Sequence, residues 1–184
     1  LSAMNVLLML LVALPAWIVA PLKYTTRTAS ISFFSSTPLE DIDAHNRQAG
    51  AAFDVATGQL AFTAAMKDFQ FKRSLMQEHF NENYVESERY PKATFAGRVL
   101  NYTPELLQQA GPQTVQVEGD LALHGVTRRV RIPGTLELRG TQLLMQSKFT
   151  VAPADFKIEI PALVRAHIAK TVEVTVEATC VPAT

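Results

Sequence analysis

The chain has 184 residues, with 17 Lys+Arg against 17 Asp+Glu, 4 His and 1 Cys. That length suits one domain with its own core, the balanced charge excludes a nucleic-acid surface built on basic excess, and 48% hydrophobic residues exclude disorder. A single cysteine excludes an intrachain disulfide and any Cys-x-x-Cys redox or zinc cluster.

Residues 1–22 carry no charged side chain, and Val6–Leu14 is an unbroken apolar run followed by Pro15 and a second apolar stretch to Ala20. The run is shorter than the roughly 20 residues a bilayer-spanning helix needs. It fits the apolar region of a secretory signal peptide, with Ala16 or Ala20 before the cleavage point. The expected organisation is therefore a signal peptide over residues 1–20 and one exported domain over residues 21–184, placing the mature protein in the periplasm or outside the cell.

From Thr28 to Thr179 the pattern alternates with period two, the signature of half-buried strands. Ala29, Ile31 and Phe33 form a first apolar face; Ala51, Phe53 and Val55 a second; Leu60, Phe62, Ala64 and Met66 a third, after the turn signal Thr57-Gly58. Ala93, Phe95, Gly97 and Val99 follow, then Val115, Val117, Gly119, Leu121 and Leu123. His124-Gly125 reads as a hairpin turn leading to Val130, Ile132, Leu136 and Leu138; Leu143, Met145, Ser147, Phe149 and Val151 make the next strand, and Val172, Val174, Val176 and Ala178 the last. Short helices are expected between strands. Thr37-Pro38-Leu39-Glu40 has capping-box spacing, Ser74 to about Asn83 would turn Leu75, Met76 and Phe80 inward, Thr103-Pro104-Glu105 starts another, and Pro161 a fourth carrying Leu163, Val164 and Ile168. Eight alternating strands without repeated crossover helices predict an all-β, eight-stranded antiparallel barrel, with a two-sheet sandwich as the competing arrangement.

Three segments are recognisable together. Ser35-Ser36-Thr37-Pro38-Leu39-Glu40-Asp41-Ile42 with His45-Asn46 is the first; Leu75-Met76-Gln77-Glu78-His79-Phe80-Asn81-Glu82-Asn83-Tyr84, continuing through Glu86-Ser87 to Tyr90-Pro91-Lys92-Ala93-Thr94-Phe95, is the second; and Val117-Glu118-Gly119-Asp120-Leu121 with His124-Gly125-Val126-Thr127 is the third. In this order the chain resembles the YceI-like, polyisoprenoid-binding family. The resemblance implies a lipocalin-like barrel, often dimeric and usually exported to the bacterial periplasm. It also implies a long isoprenoid chain, quinone-like or polyprenyl, held in an elongated apolar tunnel.

An eight-stranded barrel leaves a lumen that is either filled by side chains or holds one small ligand. The candidate lining is Phe33, Phe53, Phe62, Phe95, Val117, Leu121, Phe149 and Val174, each on the apolar face of its strand. The same residues could pack a solid plug, although Gly97, Gly119 and Ser147 on those faces argue for leftover space. Asp41, Asp43 and His45 have a spacing that invites a metal reading, but residues two apart do not share a helix face, so no metal site is assigned. Glu78-His79 lacks the partner of a zinc helix motif, no Gly-x-Ser-x-Gly elbow surrounds any serine, and no cofactor or catalytic residue is assigned. His124 is expected to bond backbone groups at its hairpin, His167 to lie on the surface or at a helix end, and Cys180 to be inert packing or an intermolecular disulfide partner. The expected function is a non-catalytic carrier or store of an isoprenoid, quinone-like or other long apolar lipid, with transient membrane contact. The alternatives are a plugged barrel acting as a stress-related or partner-binding surface protein without a lumen ligand, and a lipid-modifying enzyme, for which His45, Glu78 and His79 are the candidates.

Overall fold

The computed structural model describes residues 22–183, so the expected signal peptide lies outside the described residues. Strands β1 (Lys23–Ser36), β2 (Asp41–Asp54), β3 (Gln59–Ala65), β5 (Lys92–Val99), β6 (Gln113–Leu123), β7 (Val126–Arg139), β8 (Gln142–Val151) and β9 (Val172–Pro182) run up and down. All neighbours pair antiparallel, and β1 pairs both β9 and β2, which closes the sheet into a barrel and removes its edges. A further strand of two residues, β4 (Gln70–Phe71), pairs with the top of β2. It belongs to the long excursion between β3 and β5, together with helix α1 (Ser74–His79) and a π-helical turn, Phe80–Tyr84.

The strands are longer than the alternation suggested at β1 and β2. Between Thr26 and Ile31 the β1–β2 register shifts, and beyond that bulge inward-facing residues change parity from Tyr24 to Ala29. Asn46, fully buried, occupies the matching irregularity in β2: its amide donates to the Ala65 carbonyl at 3.0 Å and its carbonyl accepts Gln48 N–H at 2.8 Å. The expected helix at Thr37–Glu40 is instead the β1–β2 turn. Thr37 Oγ1 accepts N–H bonds from Leu39 and Glu40, as a helix cap would, but Thr37 N–H donates to Glu40 C=O and the chain reverses. The 3-10 turns Pro104–Gln108 and Ala162–His167 stand where short helices were expected.

β5 and β6 approach closely because Gly97 and Gly119 face each other in register. The expectation that these glycines leave space is corrected: the Phe95 ring lies across both. A Cβ added at Gly119 would sit 2.7 Å from that ring and 2.4 Å from the Ala96 carbonyl. Gly119→Val is therefore expected to lower unfolding free energy by about 1–3 kcal/mol, read from a urea midpoint. On the outer face β6 carries Glu118 opposite Arg131 of β7 and Asp120 opposite Arg129, and the two guanidiniums, Arg131 foremost, hold the Glu118 carboxyl below its ordinary range.

Pro133 has no N–H to donate, and the β7–β8 ladder ends beside it, at Gly134 opposite Ser147. Above that point β7 pairs only with β6 and β8 only with β9. The cleft so formed is crossed by the chain leaving β8, Pro153–Ile160, through Arg128 Nε donating to Asp155 C=O at 2.9 Å. His124, in a left-handed turn with φ 51, adds a second tie: Nδ1 donates to Phe156 C=O at 3.0 Å while Nε2 lies 2.7 Å from Glu86 Oε2. The backbone role expected of His124 is present, with the Glu86 contact added.

Candidate functional site: an apolar channel and its vestibule

The barrel encloses a cavity of about 260 Å³. Its wall runs along β6 from Val115 to Leu123, about 27 Å of strand and about 20 Å along the axis at ordinary barrel tilt. No charged side chain lines it among the described residues. Wall residues of the upper barrel, such as Val130, Phe149, Val174 and Val176, are half-buried although they point inward, because they face open space.

Phe33, Phe62, Phe95, Val117, Leu121, Phe149 and Val174 all line this channel; Phe53 does not. Phe53 faces inward as its alternation requires, but at the closed end, where the loop after β5 inserts Tyr102 against it. The rings meet edge to face at 5.7 Å, and the Tyr102 hydroxyl donates to Val55 C=O at 2.9 Å. Cys180 belongs to the same closed end beside Leu143, fully buried, and burial pushes its thiol up to about 11. A protonated, enclosed thiol is inert packing and is out of reach of a second chain.

At the other end the sequence reading missed a cluster of rings. Phe69, Phe71 and Phe80, from the β3–β5 excursion, gather around Phe33 with centroids 4.9–5.9 Å apart. The signal for the first two was Phe69-Gln70-Phe71, an alternation too short to count as a strand until β2 supplies its partner. Ile158 and Ile160 were missed because the chain between Pro153 and Pro161 has no period, whereas Ile168, expected on a helix, lines the channel from the end of a 3-10 turn. Met76 and Phe80 line the channel as expected of inward-facing residues, but Leu75 is 61% exposed and Leu163 is 94% exposed. Neither finds an element to pack against, since α1 spans Ser74–His79 and Ala162–His167 is a 3-10 turn.

Above the channel lies a second cavity, the vestibule, bordered by the ionisable side chains Glu40, Arg73, His79 and His167 and by Leu75 and Val164. Ile42, Met76, Tyr84 and Ile168 line both cavities and form the boundary between them. Glu40 joins the three segments around this opening: one carboxylate oxygen pairs with Arg73 at the start of α1, the other lies 3.3 Å from His167 Nδ1. Buried Ser35 adds a tie by accepting Ala169 N–H at 2.9 Å. Polar groups thus sit at one end of an otherwise apolar tunnel, the arrangement suited to an amphiphile with one polar head.

Asp41, Asp43 and His45 lie on a strand rather than a helix, so residues two apart do share a face, the outer one. There Asp43 pairs with His45 at 3.2 Å and with Lys72 at 3.1 Å. Among the described residues no group of His, Cys, Asp and Glu is placed to hold a metal ion. His79 borders the vestibule and accepts Asn83 Nδ2 at 3.1 Å, whereas His45 stays on the outer wall with Asp43, so the candidate catalytic set is not brought together.

With this geometry in place, the comparison with known domains is direct: the YceI-like domain family matches residues 23–180. The chain belongs to the YceI-like family. Solved YceI-like barrels share its fold. A polyisoprenoid binding domain from Saccharophagus degradans, implicated in plant cell wall breakdown, superposes with a TM-score of 0.76 at 18% identity, covering 89% of this chain and 100% of the other. BcnA of Burkholderia cenocepacia gives 0.64 at 15% identity, with 85% and 96% covered. The YceI protein of Campylobacter jejuni gives 0.56 at 12% identity, with 72% and 78% covered. At such identities the likeness is one of fold. No curated protein sequence matches the chain.

Proposed function

We propose that this YceI-like protein is an exported, non-catalytic carrier or store that holds an isoprenoid, quinone-like or other long apolar lipid in its barrel. The observation that carries the reading is the channel itself, uncharged along its length, with Glu40, Arg73, His79 and His167 gathered in a vestibule beyond one end. Burying an apolar chain gains about 25 cal/mol per Å², so a few hundred Å² supplies roughly micromolar affinity after association costs. The family and the polyisoprenoid binding domain among the similar structures support the ligand class. Export is supported by the apolar run Val6–Leu14 and the small residues after it, and the periplasm or the cell exterior is the corresponding location.

The test is to purify the protein from its native host, extract it with organic solvent and identify bound lipid by mass spectrometry. A long-chain lipid near one per protein is the expected result. An empty extract, with no uptake of added quinones or polyprenols, would sink the carrier reading and return the search to the outer surface.

A further inference from the structure

An apolar cargo has almost no free concentration in water, so on the carrier reading the channel mouth must meet the cargo's source and its sink. The rim of that mouth has an unusual composition. Leu39, Leu75 and Leu163 are 63%, 61% and 94% exposed. They come from three separate segments: the β1–β2 turn, α1, and the turn Ala162–His167. Leu75 lines the vestibule, and Leu39 and Leu163 are the sequence neighbours of its lining residues Glu40 and Val164, so the three leucines belong to the segments that form its rim. A single exposed leucine is ordinary; three around the entrance of an apolar channel contribute nothing to the core and mark a contact surface.

Charge identifies what the surface meets. From Pro161 to Thr171 the chain carries Arg165, His167 and Lys170 and no acidic residue. Arg73 and Lys72 on the opposite rim are neutralised by Glu40 and Asp43. Arg165 and Lys170 are exposed and belong to none of the ion pairs among the described residues. A fully exposed leucine flanked by unpaired cations is the composition of an interfacial anchor, in which the apolar side chain enters the headgroup region and the cations sit at lipid phosphates.

We infer that the channel mouth docks on a bilayer containing anionic phospholipid, with Leu163 as the inserting side chain and Arg165 and Lys170 as its electrostatic partners. Docked this way the vestibule faces the lipid, and cargo passes between bilayer and channel without crossing water. The inference rests on the carrier reading for its purpose, but its test does not depend on cargo.

The purified protein is sedimented with vesicles of phosphatidylcholine alone and of phosphatidylcholine mixed with phosphatidylglycerol, in low and high salt. Wild type is expected to partition preferentially to the mixed vesicles and to be released by salt. Leu163→Asp should lower partitioning at least about tenfold on both vesicles. The double change Arg165→Glu with Lys170→Glu should lower it about tenfold or more on mixed vesicles only. These side chains are solvent-exposed, so the variants keep the fold, which circular dichroism melts check. Equal partitioning of wild type and Leu163→Asp, or no binding to either vesicle, would overturn the inference. So would a dimer in sedimentation velocity that Leu163→Asp dissociates, which would assign the rim to a second copy of the chain. Vesicle binding without extractable lipid would remove the carrier reading and leave the docking surface standing; lipid in the channel with unaltered vesicle binding by Leu163→Asp would do the reverse.

Discussion

Phe149→Glu is expected to empty the channel, with lipid recovered on solvent extraction falling at least about a hundredfold while the barrel stays folded. Phe149 sits on β8 opposite Val174 of β9, and both line the channel. A carboxylate there meets no charged partner on the wall, and seating an apolar chain against it strips its water. Burying an uncompensated charge costs several kcal/mol, and about 2.8 kcal/mol is already a hundredfold in affinity. The fold tolerates the change because Phe149 is half-buried and faces open space, so its loss removes less packing than the loss of an enclosed ring. Phe149→Leu, similar in polarity, should keep loading within a fewfold of wild type. Circular dichroism melts separate lost loading from lost structure. If folded Phe149→Glu carries as much lipid as wild type, the lumen is not the binding site.

Much of the barrel was legible because a strand with one buried face writes its own pattern: period two says which side chains point inward. It says nothing of height along the axis, and height separates lining from plug. Phe53 and Phe62 have the same alternation, yet Phe53 meets Tyr102 at the closed end and Phe62 faces the channel. Their difference is made by a loop from elsewhere in the chain. The same limit hid the top of the site. Phe69 and Phe71 acquire their positions from β2, Glu86 reaches His124 through a left-handed residue at φ 46, and Leu163 has the pattern of a helix without a surface to bury against. Thr37 makes the bonds of a helix cap in a turn that reverses. The cap bonds at Thr37 are those of a helix start, and the chain direction after them is set by pairing between β1 and β2.

Phe53→Ala should separate the two roles in the opposite sense to Phe149→Glu. Phe53 is 1% exposed and its ring is enclosed, so truncation leaves a cavity at the closed end and is expected to cost about 3–5 kcal/mol, a large part of the 5–15 kcal/mol typical of a domain. Tyr102 would lose its edge-to-face partner, although its hydroxyl bond to Val55 and its seat over Gly58, where a Cβ would lie 2.5 Å from its ring, remain. Burial, with smaller contributions from the Asp54 and Glu105 carboxylates, pushes the Tyr102 phenol from 10.0 up to about 12. An acid whose folded pKa is raised contributes stability below its unfolded pKa and loses it as pH rises through the folded value. In wild type that contribution should therefore fade between pH 10 and about 12. In Phe53→Ala, ultraviolet titration should show the same tyrosinate forming at lower pH, because water reaches the plug. Lipid binding by the folded fraction should stay within about twofold of wild type, since Phe53 is outside the channel wall. A urea midpoint close to wild type would mean that the closed end is not a packed plug; loss of lipid from a stably folded variant would mean that the channel extends to Phe53.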